Sequence, residues 1–360
     1  MISDLHARLT AALRDKVVLV TGGAGTIGSA IAHRLIRFGC KSIRLIDHNE
    51  EKTFYLDLAF RKHPHVRTLL GDIRDRSRMV RAMQGVDYVI HAAALKHVEL
   101  GEYNPFEVVN TNLSALQSLI EICLDADVGR VVFTSSDKAV NPTNVMGGSK
   151  FIGERLVIAA NGYRGPHKTR FCCTRFGNVL GSAGSVLPVF ARQIAAGGPV
   201  TVTEPEMTRF FMTLDESVEL VLAALVSTHG GEIYVPKMHA MRLIDLAEAM
   251  VELYGGGKKI PIQHVGLRPG EKFYEELITD HELGRCLETD KLLIVTPYLR
   301  DIGMADDGKV YTPGPADYPD RPAKATRLFS SQTATPLDRA GVKSLLEEGR
   351  QAVERVGGTL

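Results

Sequence analysis

The sequence has little of what marks disulfide-rich, metal-binding, nucleic-acid-binding or membrane-spanning proteins. Its 360 residues include five cysteines, which form no CxxC pair and have no histidine at metal-ligand spacing, so we predict reduced thiols and no metal site. The formal net charge is +1, which leaves no overall field to attract nucleic acid or an acidic membrane. The longest apolar run, at residues 218–226, is far shorter than the roughly 18 residues that a membrane span requires.

The N-terminal segment also lacks a long apolar stretch. Residues 1–16 carry acidic and basic side chains throughout, which is unlike a signal peptide. Leu5, Leu9 and Leu13 recur every four positions and predict a short amphipathic helix. With 44% apolar and 24% charged residues, the composition is that of a globular protein. We therefore predict a cytoplasmic protein without a membrane or nucleic-acid partner.

The first half of the chain alternates between strand and helix patterns. Apolar, β-branched runs near residues 17–21, 42–47, 66–70, 86–94 and 130–136 are separated by helical segments, including a long one at 106–127. Such alternation predicts an α/β protein with a Rossmann-type, doubly wound parallel sheet. We assign residues 1–177 to this domain and 178–360 to a smaller substrate-binding portion, with about 207–236 returning to the first domain.

Glycines punctuate the turn after the first strand. Gly22, Gly25 and Gly28 have the spacing at which a chain turns tightly, approaches a pyrophosphate and packs a helix closely on a sheet. Thr26 and Ile27 lie between them, at the start of the predicted helix, where free N–H groups can bind phosphates. A plain glycine-rich turn is the alternative, but the strand before and the helix after favour dinucleotide binding.

An acidic residue ends the second strand. Asp47 lies about 20 residues beyond the glycines, where a carboxylate accepts the ribose hydroxyls of NAD and repels the extra phosphate of NADP. No arginine follows it in the next four residues, so NAD is preferred over NADP. Further predicted cofactor contacts follow the third and fourth strands, at Asp72, Ile73, Ala92, Ala93 and Ala94.

The segment 133–150, FTSSDKAVNPTNVMGGSK, concentrates polar side chains at the end of the fifth strand. Ser136, Asp137 and Lys138 come directly after that strand, where α/β sheets bind ligands. Met146 and Lys150 are four residues apart and share one helical face. The non-functional alternative is that Asp137 and Lys138 form a solvated ion pair in a loop.

These residues belong to a series of motifs that resembles the nucleotide-sugar 4,6-dehydratases, of the extended short-chain dehydrogenase/reductase superfamily. Members act on UDP-N-acetylglucosamine in capsule, O-antigen and flagellin glycan pathways. The resemblance covers about residues 16–277 and is carried by TGGAGTIGS, HAAALKHV, EYNPFEVVNTN, SSDKAVNPTNVMGGSK, FGNVLGSAGSVLPVF, TVTEPEMTRFFMT and LRPGEKFYEEL.

The resemblance implies a three-step reaction with bound NAD: oxidation at C4 of the sugar, loss of water across C5 and C6, and return of hydride to C6. Asp137 would protonate the leaving hydroxyl and Lys138 would act on C5, with its pKa lowered by burial or by the nearby Lys150. Ser136, or else Ser135, would hydrogen-bond the C4 oxygen. Lys150 would hold the nicotinamide ribose.

Methionine stands where most short-chain dehydrogenases have the catalytic tyrosine. The thioether of Met146 cannot accept the C4 proton. Some members of the resembled family also carry methionine there. The sequence therefore leaves the base at C4 unassigned, with Asp137 and a water held by Ser136 as the candidates.

The second half of the chain supplies the predicted substrate contacts. By resemblance, arginines pair with the pyrophosphate, a lysine and an asparagine lie near the sugar or phosphates, and two segments wall the uracil. The predicted substrate-binding residues are Lys96, Asn178, Ser185, Val186, Pro188, Thr201, Arg209, Arg268 and Glu271.

Two other functions fit part of the pattern. A 4-epimerase needs the C4 ketone but no acid–base pair at C5 and C6, and a non-catalytic NAD-binding sensor would explain the missing tyrosine. The sequence leaves open C5 inversion or retention, the base of the nucleotide, the pathway and the subunit number, although the resemblance implies a homo-oligomer of two to six chains.

Overall fold

The computed structural model describes residues 4–305 and 307–355. In these ranges the strands are β1 (Val17–Thr21), β2 (Ser42–Asp47), β3 (Val66–Leu70), β4 (Tyr88–His91), β5 (Arg130–Ser136), β6 (Arg170–Phe176), β7 (Asn178–Val179), β8 (Val200–Val202), β9 (Thr208–Met212), β10 (Ile233–Pro236), β11 (His239–Arg242), β12 (Ile262–His264), β13 (Cys286–Glu288), β14 (Leu292–Val295), β15 (Gly303–Met304), β16 (Val310–Tyr311) and β17 (Ala323–Lys324).

Helices alternate with these strands in the first half and cluster with short strands in the second. The α-helices are α1 (Leu5–Leu13), α2 (Thr26–Leu35), α3 (Glu50–Phe60), α4 (Arg76–Met83), α5 (Val98–Tyr103), α6 (Pro105–Val109), α7 (Ala115–Asp125), α8 (Val145–Tyr163), α9 (Val186–Ala195), α10 (Leu214–Ser227), α11 (Leu243–Tyr254), α12 (Asp280–Leu283) and α13 (Arg339–Arg355). Short 3-10 turns occupy Ile36–Phe38, Asp137–Ala139 and Pro315–Asp317, and a π turn occupies Asn110–Ser114.

One ten-stranded sheet dominates the described residues. Its order is β17-β13-β14-β10-β6-β5-β4-β1-β2-β3, and the strands from β3 to β10 are parallel. The order reverses between β1 and β4, which is the switch point where doubly wound sheets open a crevice for ligands. The predicted fold class is confirmed.

Both faces of this sheet are covered because its central strands are apolar on both sides. In β1, Val18 and Val20 face a core shared with α1, α2 and α10, while Val17 and Leu19 face a second core shared with α4, α7 and α8. A third core, formed by α9, α11 and α13 with β8 and β9, lies in the second half of the chain. The site described below lies between the sheet and this third core.

Several segments differ from the sequence-based expectations. The helix predicted at 106–127 is interrupted by the π turn, and the loop predicted at 301–324 contains β15, β16 and β17. Within the segment 207–236, β10 joins the large sheet next to β6, whereas β9 pairs with β7 and β11 in a separate sheet; β13, β14 and β17 join the large sheet as well. No described helix is both long and apolar enough to cross a membrane.

Candidate active site

A cavity of about 420 Å³ lies at the carboxyl ends of β4, β5 and β6. One wall comes from the first half of the chain, through Ile27 of α2, Ala92 and Ala94 after β4, and the end of β5. The opposite wall comes from α9, β8 and the loop that contains Arg268 and Glu271. The cavity therefore joins the two halves of the chain at the switch point of the sheet.

The glycine-rich turn has no room for side chains. Gly22 has φ of +66°, and a Cβ on it would lie 2.8 Å from the backbone nitrogen of Ala93. A Cβ on Gly28 would lie 2.2 Å from the carbonyl oxygen of Gly22. The turn is thus packed backbone against backbone, and α2 begins at Thr26 with its N–H groups at the turn. This is a cradle that suits a pyrophosphate.

Asp47 lies beside this turn at the end of β2. Its Oδ2 accepts a hydrogen bond from the Ala24 N–H at 3.1 Å, and its Oδ1 accepts one from the Asn49 N–H at 3.0 Å. Each oxygen keeps a further lone pair, so the carboxylate can still accept ribose hydroxyls. The predicted adenine side is occupied by Ile73, which is buried, and by Asp72, whose pKa is lowered by hydrogen bonds from Arg74.

The end of β5 carries a connected set of polar side chains. Ser136 Oγ donates to Asp137 Oδ1 at 3.0 Å, and Lys138 Nζ donates to the same oxygen at 3.0 Å. The Asp137 side chain is 0% exposed and does not line the cavity, whereas Ser136 and Lys138 do. Ser135 also lines the cavity, and its buried Oγ has no hydrogen-bond partner in the protein. Asp137 is therefore positioned to act through Ser136 and Lys138.

Lys138 is held as a cation, which corrects the expectation of a lowered pKa. Burial lowers the pKa of Lys138, but the carboxylates of Asp137 and Glu275 outweigh burial and raise it above its ordinary value. The ammonium lies 3.0 Å from Asp137 Oδ1 and 3.5 Å from Glu275 Oε1. The neighbouring cation that opposes this effect is Arg209, and Lys150 is not among the groups that shift the pKa of Lys138.

Lys150 and Met146 lie on the cavity side of α8, as their spacing predicts. Lys150 Nζ donates to the carbonyl oxygen of Thr134 at 2.8 Å and lies 4.7 Å from the centre of the Phe133 ring. Burial lowers the pKa of Lys150 to about 8. Met146 is 3% exposed and lines the cavity without a polar group. The proton acceptor for C4 therefore has to come from another element.

The structure brings most of the predicted substrate-binding residues to the cavity. Pro188 is the exception, since it lies on α9 but is not part of the lining. Asn178 Oδ1 accepts from Lys138 Nζ at 3.4 Å, which connects β7 with the end of β5. The remaining predicted residues in the lining are Lys96, Ser185, Val186, Thr201, Arg209, Arg268 and Glu271.

Arg209 has an additional task that its motif does not indicate. Its guanidinium donates to the carbonyl oxygens of Thr208, Lys272 and Phe273 at 2.8, 2.8 and 3.3 Å. It therefore fixes the loop after Arg268 against β9. Its predicted contact with a pyrophosphate stays a prediction.

Glu275 is a site residue that the sequence reasoning missed. It is 2% exposed, lines the cavity, and places Oε1 3.5 Å from Lys138 Nζ and 3.9 Å from Arg209 Nε. Its other oxygen, Oε2, is buried without a hydrogen-bond partner, 3.8 Å from Lys272 Nζ. The sequence feature that could have indicated Glu275 is the motif LRPGEKFYEEL, in which Glu275 stands next to a second glutamate.

Asn112 is a second residue that was missed. It is 2% exposed within the π turn, and its side chain bonds the N–H and the carbonyl of Leu95, each at 2.9 Å. It also donates to Ser149 Oγ at 2.9 Å. Asn112 thus ties the loop after β4, which carries Lys96, to the helix that carries Met146 and Lys150.

Curated relatives cover most of this chain. A protein of Methanocaldococcus jannaschii, called an uncharacterized membrane protein, is 49% identical over 79% of this chain and 87% of its own length. A UDP-glucose 4-epimerase of Rickettsia massiliae is 40% identical, over 76% and 80% of the two chains. A UDP-N-acetylglucosamine 4,6-dehydratase (inverting) of Campylobacter jejuni is 36% identical, over 81% and 86%.

Solved structures share the fold. The X-ray structure of Pen from Bacillus thuringiensis matches with a TM-score of 0.85 and 38% identity, covering 93% of this chain and 98% of that one. The dTDP-glucose 4,6-dehydratase DesIV of Streptomyces venezuelae, solved with NAD and TYD bound, matches with a TM-score of 0.65 at 24% identity, over 71% and 86%. The second likeness concerns the fold alone.

The fold, the cavity at its switch point and these relatives define the class of the protein: it is an enzyme of the nucleotide-sugar dehydratase and epimerase class. A family model described as polysaccharide biosynthesis protein matches residues 18–297. The chain belongs to this family.

Proposed function

We propose that the protein is a nucleotide-sugar 4,6-dehydratase that contains NAD and acts on UDP-N-acetylglucosamine. The observation that carries the proposal is the Lys138 ammonium, which lies against the carboxylates of Asp137 and Glu275 in the cavity that also contains Ser136 and Lys150. Loss of water needs one group that donates a proton to the leaving hydroxyl and one that accepts the C5 proton. A 4-epimerase has no use for such a set.

The residues around the glycine-rich turn fit NAD. The turn from Gly22 to Gly28 and the start of α2 would hold the pyrophosphate, Asp47 the adenosine ribose, and Lys150 the nicotinamide ribose. When bound, NAD supplies the hydride acceptor for C4 and the hydride donor for C6. Ile27, Ala92 and Ala94, which line the cavity, leave room for a flat ring beside the sheet.

The chain's own residues divide the proton transfers. Ser136 lines the cavity and donates its hydroxyl to Asp137, so its oxygen can accept a hydrogen bond from the C4 hydroxyl of the sugar, while Asp137 holds Lys138 protonated. A ketone at C4 acidifies C5–H because the resulting carbanion is an enolate. The Lys138 cation beside the sugar also favours this negative charge.

A 4-epimerase of the same substrates is the second candidate. It is favoured by the printed function of the Rickettsia massiliae relative, which is 40% identical to this chain. It would use the ketone and the cofactor but leave C5 and C6 unchanged. The elimination step therefore separates the two proposals.

The deciding experiment is turnover of UDP-N-acetylglucosamine in deuterium oxide, followed by mass spectrometry and NMR of the product. A dehydratase gives a product that has lost water and carries deuterium at C5. A C4 stereoisomer of unchanged mass would assign the epimerase. Absence of turnover on any UDP-sugar or GDP-sugar would favour a sensor that binds NAD without catalysis. In a separate measurement, the cofactor released from the protein by heating should be NAD rather than NADP.

Gly28→Ala is expected to lower both cofactor content and stability. The added methyl would lie 2.2 Å from the Gly22 carbonyl oxygen, and overpacking of this kind costs about 1–3 kcal/mol. Thermal unfolding and the amount of copurified dinucleotide measure the effect. Gly148→Ala is the matched control, because nothing lies within 4 Å of a Cβ there, and it should keep its cofactor. Equal losses in both variants would contradict the role of the cradle.

Met146→Leu is expected to keep turnover within about threefold, since leucine conserves volume and neither side chain transfers protons. The steady-state rate with UDP-N-acetylglucosamine measures this. A loss of more than a hundredfold, in a variant that unfolds like the parent protein, would show that the thioether has a specific role at C4.

A further inference from the structure

The cavity contains two acidic side chains, Glu271 and Glu275, and they differ in their surroundings. Glu271 lies in the loop at the mouth and accepts the N–H of Arg268 at 3.3 Å. Glu275 is buried, lies against the Lys138 ammonium, and keeps Oε2 free of hydrogen bonds. A proton acceptor for carbon needs a free lone pair, and Glu275 has one on a side chain that lines the cavity.

Asp137, which the family resemblance nominates for proton transfer, is placed differently. Its side chain is 0% exposed and is not part of the cavity lining. Its Oδ1 already accepts from both Ser136 and Lys138, and its Oδ2, which like Glu275 Oε2 has no hydrogen-bond partner, belongs to a side chain outside the cavity lining. Asp137 is therefore a positioning residue, which orients these two side chains and keeps the lysine charged.

The backbone holds Glu275 in place. Its N–H donates to Ser331 Oγ at 2.9 Å, and its carbonyl accepts the Ser331 N–H at 2.9 Å. Arg209 holds the preceding residues Lys272 and Phe273. A carboxylate fixed from both sides is suited to catalysis because its geometry is preorganised.

We propose that Glu275 is the base that removes the C5 proton, and that the Lys138 ammonium is the acid that protonates the leaving C6 hydroxyl. This inference rests on the proposed function. The family resemblance implies that Lys138 acts on C5, whereas here Lys138 protonates the leaving hydroxyl, because a cationic lysine donates a proton and does not accept one.

The step balances with the groups in the cavity. The C5–H bond breaks, its proton moves to a Glu275 oxygen, and its electron pair forms the C5–C6 double bond. The C6–O bond breaks, and the oxygen leaves with a proton from Lys138 as water. Glu275 and Lys138 are then both neutral, and a proton passes across their 3.5 Å contact to restore the ion pair. Burial raises the pKa of Glu275, more than Lys138 lowers it, which makes the carboxylate a stronger base.

The test separates removal of the C5 proton from the other steps. The parent protein first makes the 4-keto-6-deoxy product, and its failure to do so would refute the proposed function itself. Each variant is then incubated with that product in deuterium oxide, and loss of the C5 proton signal is followed by NMR. Formation of reduced nicotinamide with UDP-N-acetylglucosamine is recorded separately by absorbance.

Glu275→Gln should exchange C5 about 10²–10⁴ times more slowly than the parent protein, while reduced nicotinamide still forms with the substrate. The adjacent Glu276→Gln is the matched control, because Glu276 bonds Asn141 outside the cavity lining, and it should exchange normally. Asp137→Asn should slow loss of water, because Asp137 orients and charges Lys138, and it should slow exchange at C5 much less than Glu275→Gln does.

Undiminished exchange in Glu275→Gln would overturn the proposal, and so would joint loss of exchange and of nicotinamide reduction. If Glu275→Gln does not fold, Glu275→Asp replaces it. Retracting the carboxylate by one methylene should slow exchange by up to about 10²-fold. Unchanged exchange in Glu275→Asp would refute the assignment equally.

Discussion

Lys138→Ala should lose water elimination by a factor of about 10³ or more, while the protein retains its cofactor and still oxidises C4. This loss is expected because the Lys138 ammonium lies between Asp137 and Glu275, within hydrogen-bond or ion-pair distance of both. General acid catalysis contributes about 10²–10⁴-fold, and the alanine variant also leaves the enolate without its neighbouring cation. Turnover by mass spectrometry and nicotinamide absorbance after substrate addition measure the two steps.

The same substitution should change the pH dependence of stability. Without Lys138, the buried carboxylates of Asp137 and Glu275 lose their common cation, although Arg209 and Lys272 stay 3.9 and 3.8 Å from Glu275. Leaving buried charge uncompensated costs about 3–5 kcal/mol. Burial raises the pKa of Glu275 and Lys138 lowers it, so removal of Lys138 moves the folded pKa of Glu275 further above its unfolded value. The variant should be closest to the parent protein below about pH 4 and fall behind as pH rises.

Lys237→Ala is the matched control for this prediction. Lys237 is 22% exposed, against 20% for Lys138, and it also forms an ion pair, with Glu288. It does not line the cavity, so its loss should lower stability without affecting turnover. If Lys138→Ala eliminated water at the parental rate, the role of the Lys138 ammonium as the acid would be refuted.

Local chemistry explains which parts of the site the sequence predicts. The turn from Gly22 to Gly28 depends on contacts within a few residues of chain, and its spacing is visible directly. The four-residue gap between Met146 and Lys150 places both on one face of α8 for the same reason. The alternating elements of the first half likewise predict the parallel part of the sheet.

Long-range packing explains what the sequence does not show. Glu275 reaches Lys138 from 137 positions further along the chain, and it is held there by the bonds that Arg209 makes to Lys272 and Phe273 and by its own bonds to Ser331. Glu275 is one of the groups that raise the pKa of Lys138, so the direction of this pKa shift could not be deduced from the neighbouring Asp137 and Lys150 alone. Strands β13 and β14 are short, and their place in the sheet depends on the pairing of β14 with β10 and of β13 with β14.

Substitution of Arg175 is expected to have a large effect on stability, because Arg175 lies at the centre of a buried ion cluster next to the site. Its guanidinium forms two bonds to Glu154 of α8, at 2.8 and 2.7 Å, and two to Glu282 of α12, at 2.8 and 2.7 Å. It also donates to the carbonyl oxygen of Leu277 at 3.0 Å. All three charged side chains are at most 2% exposed. The cluster joins β6 and α8 to the segment that follows Glu275.

Arg175→Met should therefore lower the free energy of unfolding by about 3–5 kcal/mol, because it leaves two buried carboxylates without their shared partner. Chemical denaturation at neutral pH measures this. Burial raises the pKa of Glu282, but the bonds and charge of Arg175 outweigh burial and lower it to about 2. In the parent protein this carboxylate contributes about 3 kcal/mol above pH 4.5, which is lost as pH falls towards 2. Most of that contribution should disappear in the variant, since the Thr279 N–H bond and the charge of Arg285 are smaller causes of the lowered pKa.

Arg242→Met is the comparison that tests burial as the cause. Arg242 makes an equally short bidentate pair with Asp245, at 2.8 and 2.7 Å, but its side chain is 42% exposed. An exposed pair contributes about 0–1 kcal/mol, so this variant should unfold almost like the parent protein. Equal losses for Arg175→Met and Arg242→Met would contradict the argument from burial. A large loss for Arg175→Met alone, with slowed C5 exchange, would show that the ion cluster also positions the loop that carries Glu275.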